Sequence, residues 1–118
     1  MAGRFSLYTD ADVYGPLVDG LINRGWDVLR AVDAFPEGTN DRTHFEHAAK
    51  ENRVRVTYDV HQRKIALDWI RAGRAFPGLI TWRQTHHEHA SVGGFLEAFE
   101  ALAAEADPFA SPIRYLRL

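Results

Sequence analysis

Four aspartates, Asp10, Asp12, Asp41 and Asp59, carry the chemistry this sequence offers most plainly. Asp10 and Asp59 each stand at the carboxyl end of a strand-like run, Phe5-Ser6-Leu7-Tyr8-Thr9 and Arg53-Val54-Arg55-Val56-Thr57-Tyr58. Hard cations such as Mg²⁺ take oxygen ligands, usually one or two carboxylates completed by water and substrate phosphate. A cation so held can acidify water and clamp an in-line displacement at phosphorus. Carboxylates brought from separate segments to one place are what that chemistry requires. A simpler role is also open, since Asp12, Asp41 and Asp59 all suit helix N-caps. Asp10 is harder to explain that way, because Asp12 is the better cap for the helix that follows.

Histidine offers a second metal chemistry, since transition metals favour imidazole. His86-His87-Glu88-His89 is dense, and His44 and His47 are one helical turn apart. The 86–89 run is a polar loop with no helical spacing to converge its rings. No glycine-rich phosphate loop is present, which argues against the familiar nucleotide-binding motifs. Ser6, Ser91 and Ser111 lack the setting of a nucleophile elbow.

The elements that must position these residues alternate strand and helix. Strand 1, over 5–9, precedes a helix over 13–24 with the apolar stripe Val13, Leu17, Val18, Leu21 and Ile22. Gly25 is placed for a left-handed helix stop. Strand 2 follows over 26–30, then a loop over 33–40 and a helix over 41–51. Strand 3, over 53–59, alternates Val54, Val56 and Tyr58 with Arg53, Arg55 and Thr57. A strand buried on both faces is normally more continuously apolar, so Arg55 points to a thinly covered face or a groove. A helix over 62–72 stops at Gly73, and Pro77-Gly78 turns the chain into strand 4, over 79–82. After a polar loop, Ser91 suits the N-cap of a last helix carrying Phe95, Leu96, Phe99, Leu102 and Ala103. Residues 113–118 form a final edge strand. The expected class is α/β, a single three-layer α/β/α domain over residues 1–118 with a mostly parallel sheet of four to five strands. Strand order 2-1-3-4 puts the switch point, where such sheets bind ligands, between Asp10 and Asp59.

Length and composition agree. A chain of 118 residues, 46% hydrophobic and 25% charged with net charge −2, is long enough for one core and is no general polyanion binder. Apart from Lys50 and Lys64 every lysine-or-arginine position is Arg, which binds phosphate in bidentate fashion. Arg42, Arg55 and Arg63 stand beside the acidic residues and are the expected phosphate contacts. The absence of cysteine fits a reducing cytoplasm. The N-terminus enters a strand too early for a signal peptide. No apolar run approaches the ~18 residues of a membrane span.

Taken together, these motifs resemble the small stand-alone PIN-like domain proteins of bacteria. Matching stretches are Thr9-Asp10-Ala11-Asp12, Gly38-Thr39-Asn40-Asp41 and Arg53-Val54-Arg55-Val56-Thr57-Tyr58-Asp59. Glu46-His47-Ala48-Ala49, Trp69-Ile70-Arg71-Ala72-Gly73-Arg74, Pro77-Gly78-Leu79-Ile80 and Ile113-Arg114-Tyr115-Leu116 extend the likeness over nearly the whole chain. The resemblance implies a Mg²⁺- or Mn²⁺-dependent ribonuclease with its acidic site on Asp10, Asp41 and Asp59, and Asp12 as an added ligand. It further implies an RNA substrate and an antitoxin protein as partner. A homodimer is also expected. There is one departure. The family usually shows Asp-x-Asp-Phe after strand 3, and this chain reads Asp59-Val60-His61-Gln62. His61 in that place either positions a water or a phosphate, or marks a site that has decayed.

Two other functions remain open at this stage. One is a non-catalytic binding module that kept the fold, which His61 favours. The other is a receiver-like phosphoacceptor, with Asp10 and Asp12 on the metal and Asp59 taking the phosphate. Against the receiver, both lysines precede the last strand region and the chain ends in a strand.

Overall fold

The computed structural model describes residues 4–85 and 90–118. Its strands are β1 (Leu7–Thr9), β2 (Val28–Arg30), β3 (Val54–Val56), β4 (Leu79–Thr81) and β5 (Ile113–Tyr115). They form one five-stranded sheet in the order β2-β1-β3-β4-β5, with every pair parallel. The expected order and edge strand are both present. The switch point falls between β1 and β3, where Leu7 pairs with Val54 and Thr9 with Val56.

The helices are α1 (Gly15–Asn23), α2 (Ala31–Ala34), α3 (Asp41–Lys50), α4 (Val60–Arg71) and α5 (Val92–Ala103). The crossovers that join parallel strands put helices on both faces of the sheet. One face carries α1 and α5, and Leu7, Val54, Val56 and Ile80 meet Leu17, Leu21, Phe95 and Phe99 in the larger core. The other face carries α3 and α4. Its apolar layer is split into Phe45, Ile65, Trp69 and Leu79 on one side and Tyr8, Ala31 and Ala48 on the other. Strand periodicity explains the split. Tyr8, Arg55 and Leu79 are register partners across three strands and point to that same face. The expected groove at Arg55 is therefore corrected: α3 and α4 cover this residue, which is only 1% exposed.

Several helix boundaries have clear chemical causes. Pro16 sits in the first turn of α1, where its missing N–H costs nothing. Gly25 and Gly73 take φ values of 92° and 70° just past the ends of α1 and α4. The side chain of Ser91 accepts a hydrogen bond from the Gly94 N–H and caps α5. α1 starts two residues later than expected, at Gly15 after Tyr14, so Asp12 does not cap it. The expected loop after strand 2 opens with the short α2. Among the described residues no helix is long and apolar enough to cross a membrane.

Gly78 gives the fold a sharp test. Its φ is +156°, its carbonyl accepts from the Arg55 N–H, and a Cβ there would run into the ring of Phe109. Phe109 packs edge-on against Phe5 at 4.9 Å, so it is not free to withdraw. Gly78→Ala should destabilise the protein by about 1–3 kcal/mol, read as a lower urea midpoint.

Candidate functional site

Asp10 and Asp59 leave adjacent strands on the same edge, and Thr57 bonds to the carboxylate of one and the backbone of the other. The Thr57 hydroxyl donates to Asp10 Oδ2 at 2.7 Å and accepts the Asp59 N–H at 3.1 Å. Asp10 Oδ1 accepts the Ala11 N–H at 2.8 Å. Asp59 is the N-cap of α4, its Oδ1 accepting the His61 N–H at 2.8 Å. The cap leaves the second carboxylate oxygen of Asp59 outside that bond.

Asp41 comes from the other side. It is the first residue of α3, and Asn40 rather than Asp41 is the cap, accepting the Thr43 N–H at 2.9 Å. Asp10, Asp12 and Asp41 line one cleft of about 520 Å³, together with Phe35, Glu37 and His44. Asp41 also borders a second cleft of about 650 Å³ with Arg42, His61, Lys64 and Asp68. Asp41 is thus the wall between an acidic cleft and a mixed one.

The arginines go three separate ways. Arg42 faces Asp68 at 3.6 Å, both exposed. Arg63 lies over the ring of the exposed Tyr115 at 5.7 Å, beside a third cleft of about 550 Å³ that includes Trp82 and Arg83. Arg55 is buried and does not reach solvent, so as folded here it is no surface phosphate contact. Its Nη1 donates to the Tyr8 carbonyl at 3.2 Å and its guanidinium stacks on the Tyr8 ring at 4.7 Å. Its Nη2 lies 3.6 Å from Asp10 Oδ1. Burial lowers the Arg55 pKa from its ordinary value, opposed by the charges of Asp10, Asp41 and Asp59 among others.

A tyrosine–histidine pair adjoins the cleft. The Tyr8 hydroxyl and His44 Nδ1 are 2.7 Å apart, and Phe35 packs edge-on against His44 and His47. Burial holds the Tyr8 phenol above its usual range. Burial, helped by Arg55, holds the His44 imidazole below its ordinary value, against the pull of Asp10 and Asp41. A histidine whose folded pKa is depressed stabilises the fold above its unfolded pKa, and that stability is lost as pH falls through the folded value. Wild-type stability should therefore fall on acidification from about pH 6.5. His44→Gln, which keeps an acceptor for Tyr8, should remove part of that fall in paired urea titrations.

This Tyr8–His44 pair and the Thr57 link escaped the sequence reading. Thr57 stands two residues before a capping Asp59, a spacing at which hydroxyls bond local backbone. Nothing local connects Tyr8 to His44. His86, His87, Glu88 and His89 lie outside the described residues. His44 and His47 pack on aromatic rings.

Among the described residues no group of three or more His, Cys, Asp or Glu stands close enough to hold a metal ion. Asp10, Asp12, Asp41 and Asp59 therefore do not form a ready-made cage of protein ligands. A site for Mg²⁺ does not need one, because that ion is commonly held by one or two carboxylates with water and substrate phosphate. Asp10 and Asp59, each with a carboxylate oriented by one or more local hydrogen bonds at the ends of β1 and β3, are the residues that would meet this sparser requirement. Compared with protein-family models, with curated proteins and with solved structures, the chain matches none.

Proposed function

We propose that this chain is a Mg²⁺- or Mn²⁺-dependent nuclease of the PIN-like type that cuts RNA as the toxin of a toxin–antitoxin pair. The observation that supports the proposal is a pair of oriented carboxylates at the ends of neighbouring parallel strands beside the switch point, Asp10 held by the Thr57 hydroxyl and Asp59 by the His61 N–H. In this reading Asp10 and Asp59 would hold the cation, and Asp12 and Asp41 line the cleft beside Asp10. The ion, when bound, supplies a Lewis acid for the phosphodiester. Thr57 keeps the Asp10 carboxylate oriented, and the cap bond does the same for Asp59. His61 and Arg42, which share the cleft beyond Asp41, would hold a flanking phosphate, and Arg63, in a separate cleft, another. An antitoxin and a second copy of the chain are the protein partners under this proposal.

A second reading, a non-catalytic module with the same fold, is favoured by one observation: the protein already spends three contacts on Asp10, from Ala11, Thr57 and Arg55. Incubation with labelled single-stranded and structured RNAs separates the two. Cleavage that needs Mn²⁺, stops in EDTA and is lost in Asp59→Asn supports the nuclease. Binding without cleavage at any Mn²⁺ concentration supports the module.

A further inference from the structure

Among the described residues Arg55 is the one fully buried charged side chain. It is among the largest fully buried side chains, on a sheet face whose buried neighbours are mostly aromatic and aliphatic. Its Nε and Nη2 have no hydrogen-bond acceptor. A buried guanidinium without full hydrogen bonding is costly, and it persists where a specific charge offsets it. The offset is the acidic edge. Asp10 Oδ1 is 3.6 Å away, and Asp41 and Asp59 add to the field that keeps Arg55 charged.

We propose that Arg55 is a built-in cation for the acidic edge: its guanidinium holds Asp10 in the metal-free protein, and a divalent ion binds in competition with it. The inference rests on the acidic edge being a cation site, as proposed above. Its logic is one of charge and lone pairs. An ionised carboxylate offers roughly four acceptor positions. On Asp10 the Ala11 N–H and the Thr57 hydroxyl occupy two, and the Arg55 guanidinium lies 3.6 Å away as an ion pair without a hydrogen bond. A divalent ion at Asp10 therefore meets a partly occupied ligand and a like charge just beneath it. The edge accordingly stays folded without metal and takes metal weakly. Arg55 acts here as a positioning residue: it touches Asp10 from below and is shielded from substrate.

The test is Mn²⁺ binding, with free ion counted by electron paramagnetic resonance, for the wild type, Arg55→Met and Arg55→Lys. Met fills similar space without charge, and Lys keeps the charge. Arg55→Met should bind Mn²⁺ about tenfold more tightly, the scale on which a unit charge a few ångströms away opposes a divalent ion even at the dielectric of water. Arg55→Lys should stay near the wild type. Equal affinities for Arg55→Met and the wild type would overturn the inference and leave the metal site standing. No Mn²⁺ binding by any of the three would overturn the metal site and the inference with it. A measurement on the wild type alone covers the case in which Arg55→Met does not fold. In a Mg²⁺ titration followed by nitrogen-15 resonance, the Arg55 Nε signal should move with the same midpoint as the Ala11 amide. A moving Ala11 amide beside a static Arg55 signal would overturn the competition.

Discussion

Asp59→Asn is expected to fold as well as the wild type and to lose RNA cleavage by at least about a hundredfold, the upper end of what losing even an outer-shell metal partner costs. The substitution is unusually clean because of where Asp59 sits. Its Oδ1 caps α4 by accepting the His61 N–H, and Asn caps a helix nearly as well as Asp. The Asp59 N–H that binds Thr57 belongs to the backbone and is unchanged. What Asn removes is one negative charge and one anionic oxygen. Because Asn keeps the cap, the metal-free variant should be close to the wild type in stability, even though one of the charges facing the buried Arg55 is gone. Asp10→Asn would be a poorer probe, since it also alters the partners of Thr57 and Arg55. If Asp59 is a helix cap and nothing more, Asp59→Asn will keep its full activity.

The largest expected loss of stability lies far from that edge. Phe99 on α5 is fully buried and meets Trp26 edge-on at 5.8 Å, in the core shared by α1, α5 and the sheet. Phe99→Ala should cost about 3–5 kcal/mol, from lost transfer energy and the cavity left behind. Domains of this kind are stable by only about 5–15 kcal/mol, so the variant should stand near the edge of folding. Its urea midpoint should fall steeply with little change in slope. A loss below about 1 kcal/mol would mean that the α1–α5 layer is not packed as described.

Much of this architecture was legible because local chemistry and tertiary structure agree. Val54 and Val56 alternate with Arg55, and all three do lie in a strand with the valines on one face. Gly25 and Gly73 end helices because L-residues avoid positive φ. Ser91 caps α5 as its spacing suggests. The misreadings arise where a local pattern had two acceptable outcomes. Asn40 and Asp41 are both good caps, and the backbone chose Asn40. Asp12 was a plausible cap for a helix that begins after Tyr14 instead. Arg55 is the more instructive case. Strand periodicity tells which face a side chain takes, and says nothing of what covers that face. The α3–α4 pair covers it completely. The Tyr8–His44 contact joins residues 36 apart in sequence, beyond the reach of any local pattern.

The most direct measurement of the acidic edge as a cation site is the melting temperature of the wild type and Asp59→Asn, each with and without Mn²⁺. A ligand that binds only the folded state at a hundredfold excess over Kd adds about 2.7 kcal/mol of stability. For a domain of this size that is a rise on the order of 10 °C. The wild type should show that rise, and Asp59→Asn should melt at nearly the same temperature with and without the ion. Equal rises in both proteins would show that Asp59 is not a ligand, and no rise in the wild type would contradict the cation site itself.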